Sequence, residues 1–185
     1  MDIEPTPCHC LLCQPPALNE AQWDPRDREI ANNVRTHGWH TMGVTSHETP
    51  DWAYSIGMWH SNGGFDICIT GLPAENAMAL VAKIARQVRD GRGLGPEKRR
   101  QGVIEGYELA TRPVHPSWYP AMFGAGLDYF QTPPWPMLQA VWPDRAGRFP
   151  WEEGADPEKR DQQPFLWLAR EEHPAGMWVT SSLSL

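Results

Sequence analysis

Between residues 39 and 70 the chain alternates in side-chain character three times, and this pattern restricts its fold more than any other feature. Trp39, Thr41 and Gly43 alternate with His40, Met42 and Val44. Trp52, Tyr54, Ile56 and Met58 share one face, opposite Ala53, Ser55 and Gly57. Phe65, Ile67 and Ile69 alternate with Asp66, Cys68 and Thr70. A period of two sends successive side chains to opposite faces of a strand. Three such segments joined by short polar turns predict an antiparallel meander.

Helix signals flank the meander. Asp24 suits an N-cap and Pro25 the first helical position, Ile30, Ala31 and Val34 fall on one face, and Gly38 supplies the stop. Residues 73–90 carry an apolar stripe of Ala77, Leu80, Val81, Ile84 and Val88 ended by Gly91, which predicts a helix packed on the sheet. Residues 91–100 read as a polar loop, and 103–114 as further strand broken at Gly106. Residues 113–151 hold eight prolines and four tryptophans around a short helix candidate at 117–130, disturbed by Pro120, and 136–141 reads as a last strand. The polar tail ends its run at Phe165, Leu166, Trp167 and Leu168, which are expected to pack back. The fold class expected is therefore α+β: an antiparallel meander sheet, two or three packed helices and a Pro/Trp-rich irregular C-terminal half. The expected division is an arm at 1–23 and one globular domain at 24–185.

With 185 residues the chain can bury its own core. No apolar run approaches the ~20 residues of a membrane span, and the acidic start MDIEPTPCHC does not read as a secretory signal, so the expected compartment is the cytoplasm. A formal charge of −7 argues against nucleic acid as a partner. The densest basic run, Lys98-Arg99-Arg100, reads as a solvated loop. Ten tryptophans imply either a thick aromatic core or an aromatic-lined surface, the core being favoured.

The sharpest chemical feature is the arm. Pro5, Pro7, Pro15 and Pro16 prevent it from folding on local propensity, and Cys8, Cys10 and Cys13 lie within it. Closely spaced cysteines in a cytosolic chain point to metal or redox chemistry rather than disulfides. Thiolates suit zinc, and the two-residue spacer between Cys10 and Cys13 lets both sulfurs face one ion, with Cys8 as a third donor. A fourth donor must come from elsewhere. His9, between two ligands, is sterically awkward; His173 is the expected donor, with His37 and His60 as alternatives. Zinc bound this way would tie the arm to the domain. Free thiols or a redox dithiol are the other readings of the same spacing. Cys68, in a strand pattern, reads as an inert buried thiol.

A second group consists of His60, His115 and Asp144, an imidazole and carboxylate set suited to acid–base catalysis if the fold brings it together. Trp59, Tyr119 and Trp142 are the expected ligand-binding wall of the same concave site, with room left by Ala53, Ser55 and Gly57. The alternative is that these aromatics fill the core.

The order His37-Gly38-Trp39, Trp52-Ala53-Tyr54-Ser55-Ile56-Gly57-Met58 and Ile69-Thr70-Gly71-Leu72-Pro73, before a helix ending Val88-Arg89-Asp90-Gly91, resembles the bacterial domain-of-unknown-function 4262 family. Gln139-Ala140-Val141-Trp142-Pro143-Asp144 with Gly147 and Phe149-Pro150-Trp151 is similar to that family's second marked segment. The similarity spans roughly residues 24–170, and the cysteine arm resembles arms of some members. It implies a bacterial intracellular protein and carries no activity with it.

Two functions follow as expectations. One is a domain that binds a small-molecule ligand or a partner protein, with the arm held by a structural zinc. The other is a small-molecule enzyme using His60, His115 and Asp144. A flavin-binding split barrel is a variant of the second, suggested by the helix–meander–helix order alone.

Overall fold

The structure, a computed structural model, describes residues 7–14, 19–131 and 134–180. Pro5, Pro15 and Pro16 of the arm lie outside the described residues.

The three alternating segments form β1 (His40–Val44), β2 (Trp52–Ile56) and β3 (Asp66–Thr70). They pair antiparallel, with Met42 opposite Tyr54 and Tyr54 opposite Cys68. The expected meander ends there. Next in the sheet is β6 (Met137–Val141), parallel to β3 with Cys68 opposite Gln139. Beyond it lie β5 (Tyr107–Pro113) and the edge strand β4 (Arg99–Ile104), both antiparallel. The order is β1-β2-β3-β6-β5-β4. The last strand in sequence thus lies inside the sheet, where its five residues are all buried. The edges β1 and β4 are not paired with one another, so the sheet is open and the split-barrel analogy does not hold.

Helix α1 (Pro25–His37) begins as its sequence predicts: the Asp24 carboxylate accepts from the Arg26 N–H at 2.8 Å, and Gly38 closes it at φ 92°. The longest helix, α3 (Ala74–Arg89), lies against one face of the sheet. It buries Ala77, Val81, Ile84 and Ala85 against Ala53, Ile67, Ile69 and Leu138. Leu80 and Val88, expected in the same stripe, are only half-buried at its margin. The small-residue face of β2 is therefore not an open space. Ala53 lies under the α3 layer, and a side chain at Gly43 would come within 2.5 Å of the Met78 sulfur of α3. The opposite face, with Trp52, Tyr54, Ile56, Cys68 and Met137, is covered by α1, by α4 (Tyr119–Met122) and α5 (Gly124–Phe130), and by the N-terminal arm.

The C-terminal half is more regular than its proline content suggests, since it contributes three of the six strands found among the described residues. Arg99 and Arg100 start β4 instead of ending a solvated loop. Arg100 is buried, donating to Gln87 Oε1 at 2.7 Å and to the carbonyls of Arg92 and Gly93 at 3.0 and 2.6 Å. The 117–130 segment divides into a 3-10 turn (Pro116–Trp118), α4 and α5. Pro120 sits in the first turn of α4, where it lacks no bond, and the break falls at Phe123. The tail packs back through Leu166. Buried Gln139 donates to the carbonyl of Pro164 at 2.8 Å and accepts from Leu166 N–H at 3.2 Å. Trp23, Trp39, Trp52, Trp59, Trp118, Trp135, Trp142 and Trp178 are buried, so most of the tryptophan content is core. Among the described residues no helix is long and apolar enough to cross a membrane.

Candidate metal centre

The arm turns sharply after Cys10, whose carbonyl accepts from the N–H groups of Cys13 (3.0 Å) and Gln14 (2.9 Å). This turn brings the sulfurs of Cys10 and Cys13 to one side. The arm is then pinned to α5: Leu11 N–H donates to the Tyr129 carbonyl at 2.9 Å, and the side chains of Cys10 and Leu11 are buried in the core. Gln131 adds a bond to the Gln14 carbonyl at 3.1 Å.

The opposing side chain comes from α2 (Met58–Asn62). This helix has no capping side chain of its own. Gly57 enters it at φ 105°, and the buried Asp66 carboxylate of β3 accepts from Met58 N–H at 3.1 Å. Ser55 donates to the same carboxylate at 2.6 Å. The one-turn helix is thus held from beneath, which orients His60 toward the arm. His60 Nδ1 lies 3.3 Å from Cys10 Sγ and 3.2 Å from Cys13 Sγ.

Ligand atoms of Cys8, Cys10, Cys13 and His60 all lie within 4.8 Å of one another. A tetrahedron with Zn–S of ~2.3 Å and Zn–N of ~2.0 Å has edges of about 3.5–3.8 Å, so the four atoms need only small adjustments to enclose an ion. All four cysteines are free thiols. The electrostatics of the thiols match such a site. A hydrogen bond from the Cys8 thiol, joined by backbone N–H groups of Cys13 and Leu12, holds Cys10 down to about 4. Cys8 is pushed up, first by that same hydrogen bond and then by burial, and Cys13 is raised by burial and by the charge on Cys10. Three crowded sulfurs without a cation share protons because like charges repel. A divalent ion removes that conflict and displaces the protons.

His173, the expected fourth donor, is engaged elsewhere. Its Nε2 accepts from Phe165 N–H at 2.9 Å, Nδ1 meets the Pro174 carbonyl at 2.7 Å, and the ring stands edge-on to Trp118. His37 is exposed at the end of α1, and His9 is bonded to Gln14. No local spacing marks His60 as the partner of the arm, since it lies 47 residues beyond Cys13.

His60, His115 and Asp144 each have polar partners of their own. His115 Nδ1 accepts from Ser117 N–H at 3.3 Å and caps the 3-10 turn. Asp144 ties its own loop, accepting from Ala146, Arg148 and Asp156 N–H groups at 2.8, 2.9 and 3.1 Å, and these bonds, that of Arg148 first, keep its carboxyl below the ordinary range. The aromatic wall is divided by the sheet. Trp59 packs on Phe130 and Tyr119 donates to the Trp135 carbonyl in the α5 layer, whereas Trp142 lies in the α3 layer with its indole N–H on the Thr70 carbonyl at 2.9 Å. A recess of about 310 Å³ occurs instead in the tail, lined by Arg160, Gln163, Phe165, His173, Met177 and Trp178 among others. Cys68 is fully buried, which pushes its thiol up.

Residues 33–156 match the family model described as Domain of unknown function (DUF4262). That span includes His60 and excludes the three arm cysteines. No curated protein and no solved structure matches the chain.

Proposed function

The chain belongs to the domain-of-unknown-function 4262 family, and we propose that in this member one zinc ion, held by Cys8, Cys10, Cys13 and His60, clasps the N-terminal arm to the domain. The observation that carries the reading is the convergence of four soft or borderline donors, from segments remote in sequence, within 4.8 Å of one another. Four protein donors complete a tetrahedron and leave no open position for substrate, so the role is structural. Such thiols stay reduced in a cytosolic setting, and we place the protein there.

In this reading the clasped domain is a binding module for a small ligand or a partner protein. His115 and Asp144 each bind their own loops, and the tail recess is at the lower end of the ~300–1,000 Å³ typical of ligand pockets. Elemental analysis of protein purified without added metal tests the clasp. One zinc per chain is expected. A content far below that, unchanged after adding zinc under reducing conditions, overturns it.

A further inference from the structure

Beneath the thiols lies a side chain that none of the spacing arguments identifies. Tyr129, in α5, is fully buried, and its hydroxyl has no hydrogen-bond partner in this structure. The ionisable groups that act on its hydroxyl are the thiol of Cys10 first, then that of Cys8 and the Asp66 carboxyl. A buried hydroxyl is rarely left unpartnered, because removing it from water without a replacement bond is costly. The same residue also holds the arm's backbone, its carbonyl accepting from Leu11 N–H at 2.9 Å. Its ring is fixed edge-on against Phe130, 5.1 Å between centroids, so the hydroxyl is not free to turn to solvent.

We propose that Tyr129 is a positioning residue of the metal centre, its hydroxyl donating a hydrogen bond to the Cys10 sulfur that binds the ion. This rests on the zinc reading of Cys8, Cys10, Cys13 and His60. A donor to a metal-bound thiolate draws electron density from sulfur, orients its lone pairs and makes the ligand harder to protonate. The backbone N–H groups of Leu12 and Cys13 act on the same sulfur from the arm. Tyr129 acts from the domain side, so the sulfur nearest the core is held by both halves of the clasp.

Cobalt(II) titration of the full chain, in place of zinc, separates the two claims. Wild-type protein should bind one cobalt with tetrahedral ligand-field bands and a sulfur-to-cobalt charge-transfer band. Absence of these bands defeats the metal reading itself. Tyr129→Phe should keep the stoichiometry and the ligand-field envelope. Its affinity should fall by ~10–100-fold, the usual effect of losing an outer partner of a ligand. Its charge-transfer band should move to longer wavelength, because sulfur electrons no longer stabilised by the donated proton lie higher. Tyr119→Phe, which removes a hydroxyl bonded to the Trp135 carbonyl, should move neither. Should Tyr129→Phe fail to fold, fluorotyrosine at position 129, a stronger donor of nearly the same shape, should shift the band to shorter wavelength. Normal cobalt bands with wild-type affinity and band position in Tyr129→Phe, no shift with fluorotyrosine, or an equal shift in Tyr119→Phe, each overturn the role of Tyr129 and leave the metal site standing.

Discussion

His60 Nδ1 lies 3.3 Å from the sulfur of Cys10, 50 residues away in sequence, and this approach joins the arm to the sheet through α2. Any ion bound between them belongs to the folded state alone, because the unfolded chain does not hold the two ends together. Metal binding and folding are therefore linked.

The first prediction follows from that linkage. Free zinc at about 100 times its dissociation constant should raise the unfolding free energy by about 2.7 kcal/mol, and a chelator should remove the gain. His60→Ala should abolish most of this response. His173→Ala should retain it while lowering stability through the lost Phe165 bond. Denaturant titrations with and without zinc measure both, and a full zinc response in His60→Ala would refute the ligand assignment.

Asp66 should impose a pH dependence on stability. It is fully buried, and burial pushes its carboxyl up to about 7 despite the Ser55 and Met58 bonds. The folded state therefore holds a proton that the unfolded chain releases near the ordinary aspartate value. The contribution is complete below about pH 4 and is lost as pH rises to about 7, a change on the order of 4 kcal/mol. In a Cys8→Ser, Cys10→Ser, Cys13→Ser background, which removes the arm thiols whose own titration opposes the trend, urea midpoints should fall between pH 4.5 and 7.5. Asp66→Asn should flatten this slope. An equal slope in the variant would place the titration in another group.

On α3, burial separates two residues that the apolar stripe places together. Ile84 is fully buried, so Ile84→Ala should cost about 2–5 kcal/mol. Leu80 is half-buried, and Leu80→Ala should cost roughly 1–2 kcal/mol. Chemical denaturation of the two variants provides the comparison, and equal losses would contradict the placement of the helix.

Gly57 and Gly43 should differ for a backbone reason. Alanine at 57 must adopt φ 105° and would place Cβ 2.4 Å from a Val34 methyl, so a loss at or above the high end of ~1–3 kcal/mol is expected. At Gly43 the obstacle is the sulfur of Met78, on a flexible side chain that can move, and the loss should fall at the low end of the same range. Gly57→Ala should also weaken zinc binding, since Gly57 leads directly into α2.

Local chemistry in the sequence accounts for much of the fold. The Asp24, Pro25 and Gly38 signals bound α1 within a residue, and the period-two segments mark β1, β2 and β3, because caps and alternation depend on near neighbours. The cysteine spacing likewise identifies three ligands of the candidate centre, since one turn of backbone suffices to align Cys10 and Cys13. Tertiary structure decided what depends on distant segments. The parallel placement of β6 beside β3 arises from where the sheet can bury all five residues of the strand, which no local signal encodes. The division of Trp59 and Tyr119 from Trp142 follows from which face of the sheet each enters. His60 reaches the thiols, and Tyr129 the arm backbone, only because Asp66 holds α2 from below and α5 receives the arm, contacts set by packing across about 50 and 120 residues of chain.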